Sequence, residues 1–504
     1  MYISRMLRVL GQNSFLMLLK APIQQTVLGT KEEGFKMKRI FVFLIIFKAA
    51  FLFSQSNDKP NFVIIFCDDL GYGDIGVFGS PIIRTPNIDM MANQGQKWTQ
   101  FYVADPVCTP SRAALLTGRY PIRSGMTSSK RAVLFPDSAN GLKHEEVTIA
   151  EVLQDQGYTS AVVGKWHLGH LPRFLPQQQG FNYYFGIPYS NDMNKINSSG
   201  RAYRENLQNA NYLPISEHYN VALVENKKEI ERPVDQTTIT QRYTEKAVEF
   251  IEKNKNQPFF LYLAHSMPHI PLFASKEFLG KSKASLYVDV IEEIDWSVGK
   301  VIDALKRNNL DKNTVVVFSS DNGPWLRFRM HGGSAGALRG GKGTTFEGGQ
   351  RVPTIFWGPG IVKSGVINQL GSTLDLINTF ASLSGANLPI ERKMDGYDLS
   401  QVLREKSESP RKDFYYWGFA ELHAYRSEHF KLHIKQREPI NYGRPTIILE
   451  EPELYNLRSD FSEKYDVALN HPRLVKEMLD KIEKHLKDVE GSTPDQLAER
   501  LPKK

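Results

Sequence analysis

Asn61–Phe66 reads NFVIIF, a continuous apolar run that passes straight into Cys67-Asp68-Asp69. A strand with one wet face would alternate polar and apolar residues, so an uninterrupted run marks a strand covered on both faces. Tyr158–Val163, Phe259–Ala264, Thr314–Ser319 and Pro353–Trp357 repeat the pattern. Helical stretches lie between these runs. Thr85-Pro86 opens one that continues to about Gln94, with Thr85 as N-cap and proline in the first turn. Val147–Gln156, Gln241–Asn254 and Ser285–Asn308 are the others. Strand, helix, strand at this spacing predicts an α/β fold, a large mainly parallel sheet sandwiched between helices. Beyond about residue 405 the texture changes to short polar-alternating strands, Lys412–Phe419 and Ala424–Lys435, and a late helix near Pro472–Val489. That predicts a smaller C-terminal α+β subdomain carrying an antiparallel sheet. The expected division is a leader at 1–56, a large domain at 57–405 and the subdomain at 406–504.

The chain has 504 residues, 41% hydrophobic and 23% charged, an ordinary globular composition. Its net charge of +8 suggests a polyanion partner, but residues 1–56 hold eight Lys or Arg against two Glu. Most of the excess therefore sits in the leader, and nothing argues for nucleic acid. With only Cys67 and Cys108, a disulfide framework or a Cys-based zinc or iron–sulfur site is excluded. From Met37 the sequence reads MKRIFVFLIIFKAAFLFSQS, a basic start, an apolar run and small polar residues. This is the pattern of a secretory signal peptide, with Met37 the expected start and export the expected fate. Lys48 interrupts the run, which is too short to span a bilayer, and no later segment is long and apolar enough for a stable membrane span.

Two of the buried strands end in carboxylates: Asp68-Asp69 after the first, Asp321-Asn322 after Thr314–Ser319. Ligands of open α/β sheets bind at the carboxyl ends of strands, so these four side chains can meet despite their distance in sequence. All present hard oxygen atoms, which suit Ca²⁺ or Mg²⁺ rather than zinc. One such pair alone would read as a turn or helix cap. Val107–Tyr120, VCTPSRAALLTGRY, adds a cysteine placed just before a helix that Thr109 caps and Pro110 opens.

Cys108-Thr109-Pro110-Ser111-Arg112 matches the Cys-x-Pro-x-Arg signature of type I sulfatases. Gly164–Gly169 (GKWHLG), Gly186–Ser190 (GIPYS), Pro268–Pro271 (PHIP), Asp321–Gly323, Gly341–Thr345 (GKGTT) and Glu347–Gly349 follow in family order. The resemblance covers roughly residues 59 to 470, on to ELYNL at Glu453–Leu457, and lies in the arylsulfatase A-like branch of the alkaline phosphatase-like superfamily. It implies that a separate maturation enzyme oxidises Cys108 to formylglycine (3-oxoalanine), whose hydrate attacks sulfur. Loss of a proton from the second hydroxyl then expels sulfate, so water need not attack the sulfated enzyme. It further implies one Ca²⁺ held by Asp68, Asp69, Asp321 and Asn322 and touching modified Cys108. Arg112, one helical turn on, would reach back to the hydrate. His167 would take the proton that releases sulfate. Lys165, Lys342 and His269 would bind sulfate oxygens, with His269 or Lys342 protonating the leaving alcohol.

Other residues read more plainly. His265 is a structural hydrogen-bonder or pocket-liner, Cys67 is core packing, and Asn197-Ser198-Ser199 is a glycosylation sequon without meaning in a bacterium. Arg329, His331 and Arg339, in a Gly-rich loop, are substrate contacts or merely exposed. The absence of disulfides and the form of the leader favour a bacterial periplasmic or secreted enzyme acting on sulfated carbohydrate. Two alternatives stay open: a phosphate or phosphonate ester hydrolase of the same fold, and a non-catalytic sulfated-glycan binder with an unmodified thiol.

Overall fold

β1 (Asn61–Cys67) shows why the opening run is apolar throughout. Phe62, Ile64 and Phe66 enter one core, Val63, Ile65 and Cys67 the other, and all six are fully buried. The computed structural model describes residues 59–196, 199–440 and 445–502. The leader at 1–56 and Asn197-Ser198 of the sequon lie outside the described residues.

The remaining strands of the main sheet are β2 (Gln96–Tyr102), β3 (Thr159–Gly164), β4 (Tyr183–Gly186), β5 (Leu223–Glu225), β6 (Lys228–Glu231), β7 (Phe259–Ala264), β8 (Thr314–Ser320), β9 (Arg351–Trp357) and β10 (Gly365–Ser372). They are ordered β10-β2-β9-β8-β1-β7-β3-β4-β5-β6. The centre, β8-β1-β7-β3-β4, is wholly parallel. β9 runs antiparallel to β2 and β8, and β5 and β6 are antiparallel too, so the sheet is mixed. A strand buried on both faces reads the same in either direction, which is why β9 gave no sign of its reversal.

Seven helices matter for the core: α1 (Pro86–Gln94), α2 (Cys108–Thr117), α3 (Ile149–Gln154), α4 (Ile239–Lys253), α5 (Leu286–Arg307), α6 (Asp375–Ser384) and α7 (Pro472–Asp488). α1, α4 and α5 cover one face of the sheet, α2, α3 and α6 the other. α5 starts as expected, the Ser285 hydroxyl accepting from Val288 N. α1 does not. The Thr85 hydroxyl accepts from Gly76 N and donates to Asp89, and Asp295 on α5 accepts the free amides of Asn87 and Ile88 instead. The cap comes from another helix, which local sequence cannot show.

β11 (Asp413–Gly418), β12 (Glu421–Ser427), β13 (Phe430–Gln436) and β14 (Ile447–Asn456) form a second, antiparallel sheet. The single strand expected at Ala424–Lys435 is a hairpin that turns at Glu428-His429, with Glu428 at φ 50°. Alternation continues across a two-residue turn, so the pattern hid the reversal. α7 buries Met478 and Ile482 against this sheet, and Tyr102, Ala104 and Ala114 extend the same core towards β2 and α2. Among the described residues no helix is long and apolar enough to cross a membrane.

Candidate active site

The four central strands β1, β3, β7 and β8 end on one edge, and each delivers a polar residue there. Asp68-Asp69 follow β1, Lys165 follows β3, His269 follows β7, and Asp321-Asn322 follow β8. The turns are tight. Gly164 sits at φ 118°, and a Cβ there would lie 1.9 Å from the Ala264 carbonyl, so only glycine lets β3 reach Lys165 beside β7. Gly323 packs equally closely on Gly348, and its amide donates to the Gly349 carbonyl at 2.9 Å. That contact ties the Asp-Asn-Gly turn to the Glu-Gly-Gly turn.

Asp68, Asp69 and Asp321 are fully or nearly fully buried, yet each is neutralised. Lys165 Nζ lies 2.6 Å from Asp68 Oδ2, and Lys342 Nζ 2.7 Å from Asp69 Oδ1. Arg112 donates from Nε and Nη2 to Asp321 Oδ2 at 3.0 and 2.8 Å, and its Nη1 turns to the Lys165 carbonyl. Its donors thus orient a carboxylate where the sequence suggested a reach towards Cys108. Three carboxylates face three cations, so a divalent cation and a sulfate dianion together would add no net charge. Burial opposes ionisation of Asp68, but Lys165, Arg112 and Lys342 outweigh it and hold its carboxyl below the usual range. For Asp69 burial wins, aided by Asp68 and Asp321, and pushes it up to about 7.

Cys108 is the first residue of α2, where the sequence placed it just before the helix. Thr109 is correspondingly no cap: its hydroxyl donates to the His167 carbonyl at 3.0 Å and accepts from Leu134 N. The Cys108 thiol is 3.3 Å from Lys342 Nζ and 3.5 Å from Asp68 Oδ1. Burial pushes this thiol well up. Ligand atoms of Asp68, Asp69, Cys108 and His269 all lie within 4.8 Å of one another. Asn322 joins them through Nδ2, which donates to Asp69 Oδ1 at 2.7 Å and to the Gly323 carbonyl, leaving its buried Oδ1 without a partner. Two acceptors on one nitrogen settle the orientation of that amide.

The two histidines are held as opposite tautomers. His167 donates from Nε2 to the Leu134 carbonyl at 2.9 Å, so Nδ1 carries a lone pair, and that atom is buried without a partner. His269 Nδ1 faces the Ile270 carbonyl at 2.5 Å and Asn191 Oδ1 at 3.0 Å, both acceptors, so it holds the proton and Nε2 turns towards Asp69 Oδ2 at 3.7 Å. Burial, then repulsion by Lys165 and Lys342, holds both imidazoles well below their ordinary range. Asp69 and His167 also adopt positive φ, 67° and 58°, a strained conformation for non-glycine residues.

A family model described as sulfatase matches residues 60–386, and one for the C-terminal region of aryl-sulfatase matches 409–503. The chain belongs to the sulfatase family. It is a sulfuric ester hydrolase of the arylsulfatase A-like branch, 38% identical to arylsulfatase A of Homo sapiens over 81% of this chain and 83% of that protein. It is 40% identical to N-acetylgalactosamine-6-sulfatase of Mus musculus, over 74% of this chain and 72% of that protein. The crystal structure of Ps i-CgsB in complex with k-i-k-neocarrahexaose superposes at a TM-score of 0.73 with 33% identity, covering 87% of this chain and 95% of that one.

Ser190 and Asn191 of this sulfatase received no role from the sequence. Ser190 Oγ lies 3.4 Å from Lys165 Nζ and 3.4 Å from His269 Nε2, and Asn191 fixes the His269 tautomer. The GIPYS match marked the position of Ser190 but not its contacts. Trp325 packs beside His269, with ring centroids 5.3 Å apart and planes tilted by 53°, and lies 4.3 Å below Lys342 Nζ. His265 bonds Ser297 inside the core and is structural. His331 bonds Tyr203 and the Asn209 carbonyl, and Arg339 bonds the Glu463 carbonyl, so both are engaged within the fold. Arg329 is exposed.

Proposed function

We propose that this sulfatase removes sulfate from a sulfated carbohydrate, using formylglycine made from Cys108 by a maturation enzyme and one Ca²⁺ ion beside it. The convergence of Asp68, Asp69, Cys108 and His269 within 4.8 Å, against Lys165 and Lys342, carries the reading. The donor set fits both groups. Asp68, Asp69, Asp321 and Asn322 would hold the ion, and the unpartnered Asn322 Oδ1 is a ready oxygen ligand. A thiol is a soft and poor neighbour for a hard cation, so replacing the Cys108 sulfur by oxygen improves the match. Bound calcium would offset charge on the transferring group, and hydrated formylglycine would supply the oxygen nucleophile.

The chain's own residues supply the rest. His167 is oriented by the Leu134 carbonyl to accept a proton at Nδ1, as release of sulfate demands. Lys165, Lys342 and Ser190 present donors where sulfate oxygens would sit. Arg112 holds the Asp321 carboxylate in place. The leaving alcohol takes its proton from Lys342 or from His269 Nε2, which must first be charged. Residues 57–405 would carry this chemistry, with 406–504 as a supporting subdomain. The carbohydrate reading is supported by the neocarrahexaose complex of one structural relative and by the N-acetylgalactosamine-6-sulfatase relative. The basic-then-apolar segment from Met37 supports export to the periplasm or medium.

The test is sulfate release from a panel of sulfated polysaccharides and oligosaccharides by protein matured with a formylglycine-generating enzyme. Release from one glycan class, lost on calcium chelation and lost in Cys108→Ala, is expected. No release from any glycan, with formylglycine confirmed by peptide mass, would sink the carbohydrate reading. Turnover of phosphate esters instead would move the substrate to phosphorus.

A further inference from the structure

The groups that would hold sulfate lie deep in the site, since Cys108, Lys165, His269 and Lys342 are all buried. Three segments leave them and line one pocket. Ser190-Asn191 continue to Asp192, His269 continues to Ile270-Pro271, and Trp325 packs its ring beside His269 and beneath Lys342. Asn191 ties two of these segments together, its Nδ2 donating to the Pro271 carbonyl at 3.1 Å. The pocket measures about 350 Å³, the lower end of the roughly 300–1,000 Å³ usual for small-molecule sites. That is the room of roughly a dozen waters at about 30 Å³ each, enough for a sugar or two and for no longer stretch of chain. Trp325 and Tyr219 offer aromatic faces to the apolar side of a sugar ring.

Both flanks of the pocket are tied shut. On one, the short helix Ser199–Glu205 brings Tyr203 against the segment that follows Trp325. The Tyr203 hydroxyl donates to His331 Nδ1 at 3.1 Å, and His331 Nε2 donates to the Asn209 carbonyl at 2.8 Å. Phe328 fills the angle between them, its ring centroid 6.0 Å from that of Tyr203 and 4.6 Å from that of Trp325. On the other flank Lys195 pairs with Tyr219 in an isolated antiparallel bridge, beside which Ile196 N donates to the His218 carbonyl at 2.8 Å. Tyr219 in turn packs on Phe273. A groove that takes an internal stretch of polymer needs a way out for the chain on each side of the bound sugar. Among the described residues these contacts close the end away from the cluster, so a chain can enter the pocket but not run through it.

We propose that this sulfatase acts at chain ends. The terminal sugar of a sulfated oligosaccharide enters the pocket beyond Trp325 and loses its sulfate, whereas sulfates within the chain are not reached. This rests on the sulfated-carbohydrate reading above. It also sets the reaction between two others. A glycoside hydrolase or lyase must supply chain ends from the polymer, and an exo-acting glycosidase must remove the bared sugar before the next sulfate can enter.

Matured wild-type protein is given di-, tetra- and hexasaccharides of a monosulfated repeat with the sulfated sugar at the chain end, prepared from chondroitin and from carrageenan. Released sulfate is counted per chain, and tandem mass spectrometry locates the group that is lost. In at least one series every length should lose a single sulfate, from the terminal sugar. Sulfate lost from internal sugars, or in proportion to length, would overturn the chain-end assignment and leave the carbohydrate reading standing. No loss at any length would overturn both, and hydrolysis of 4-methylumbelliferyl sulfate by the same protein shows whether the formylglycine reading falls with them. Leu207, half-buried, lines the pocket away from the sulfate cluster. Leu207→Trp should raise KM for the disaccharide roughly tenfold by crowding the sugar, with kcat held, and Leu207→Phe should do so to a smaller degree. An unchanged KM in both variants would overturn the placement of the terminal sugar in this pocket.

Discussion

Two buried clusters of charge differ in how fully they are closed. Around Glu347, at the junction of the two sheets, every carboxylate oxygen is answered. Glu347 Oε1 accepts from Tyr416 and Lys431, its Oε2 accepts from Tyr102, Glu463 Oε1 meets Lys431 and His433, and Glu463 Oε2 accepts the Glu347 amide. Burial works against ionisation of Glu347, but Lys431, Arg426 and Arg351 hold its carboxyl down to about 2. The cluster at the ends of β1 and β8 has its carboxylates paired too, but leaves Asn322 Oδ1 and His167 Nδ1 buried and unpartnered. The Glu347 cluster also leaves one buried atom unpartnered, His433 Nδ1, so the contrast rests on Asn322 Oδ1, an oxygen left beside the paired carboxylates for something that arrives.

The largest expected contrast comes from removing one lysine from each cluster. Lys342→Ala should lower kcat by roughly 10²–10³, the usual cost of one preorganised charge donor, with far-ultraviolet circular dichroism retained. Lys431→Met should do the reverse. Loss of one partner from a buried pair costs about 3–5 kcal/mol, read as a lower urea midpoint, while kcat per folded molecule stays near wild type. If both variants lost activity and stability in the same proportion, the distinction between the clusters would collapse.

A smaller effect concerns acid. Burial lowers His265 to about 4, so between pH 6.5 and 4 the unfolded chain binds a proton that the folded chain refuses. Stability from this group is present above pH 6.5 and falls by about 1.4 kcal/mol per pH unit on acidification, levelling below pH 4. Asp295 and Glu293, pushed up by burial to about 6 and about 7, act in the opposite direction over the same range. The difference between wild type and His265→Gln, followed by urea midpoint against pH, isolates the histidine. A difference curve that stays flat would show that His265 is charged in the fold.

Much of the site was legible because its chemistry is carried by short segments at strand ends. Asp68-Asp69 and Asp321-Asn322 announce themselves after apolar runs, and Cys108 to Arg112 is a local signature. Ser190 and Asn191 were not, since a serine and an asparagine in a loop have many ordinary uses and their contacts with Lys165 and His269 arise only on folding. Arg112 shows the same limit. Spacing placed it one turn from Cys108, but which neighbour its guanidinium faces depended on where β8 ends.

Local patterning alone determined that β1, β3, β7, β8 and β9 are buried strands, that α4 and α5 are amphipathic helices, and where the carboxylates and amide at the strand ends lie along the chain. These are properties of periodicity and of residue type, which survive without a partner. Strand direction, the hairpin within β12–β13, the capping of α1 by Asp295, the tautomers of His167 and His269, and the pocket beside Trp325 were decided by tertiary structure. Each is a relation between segments distant in sequence, and the hydrogen bonds and burial that select it exist only once the sheet has brought them together.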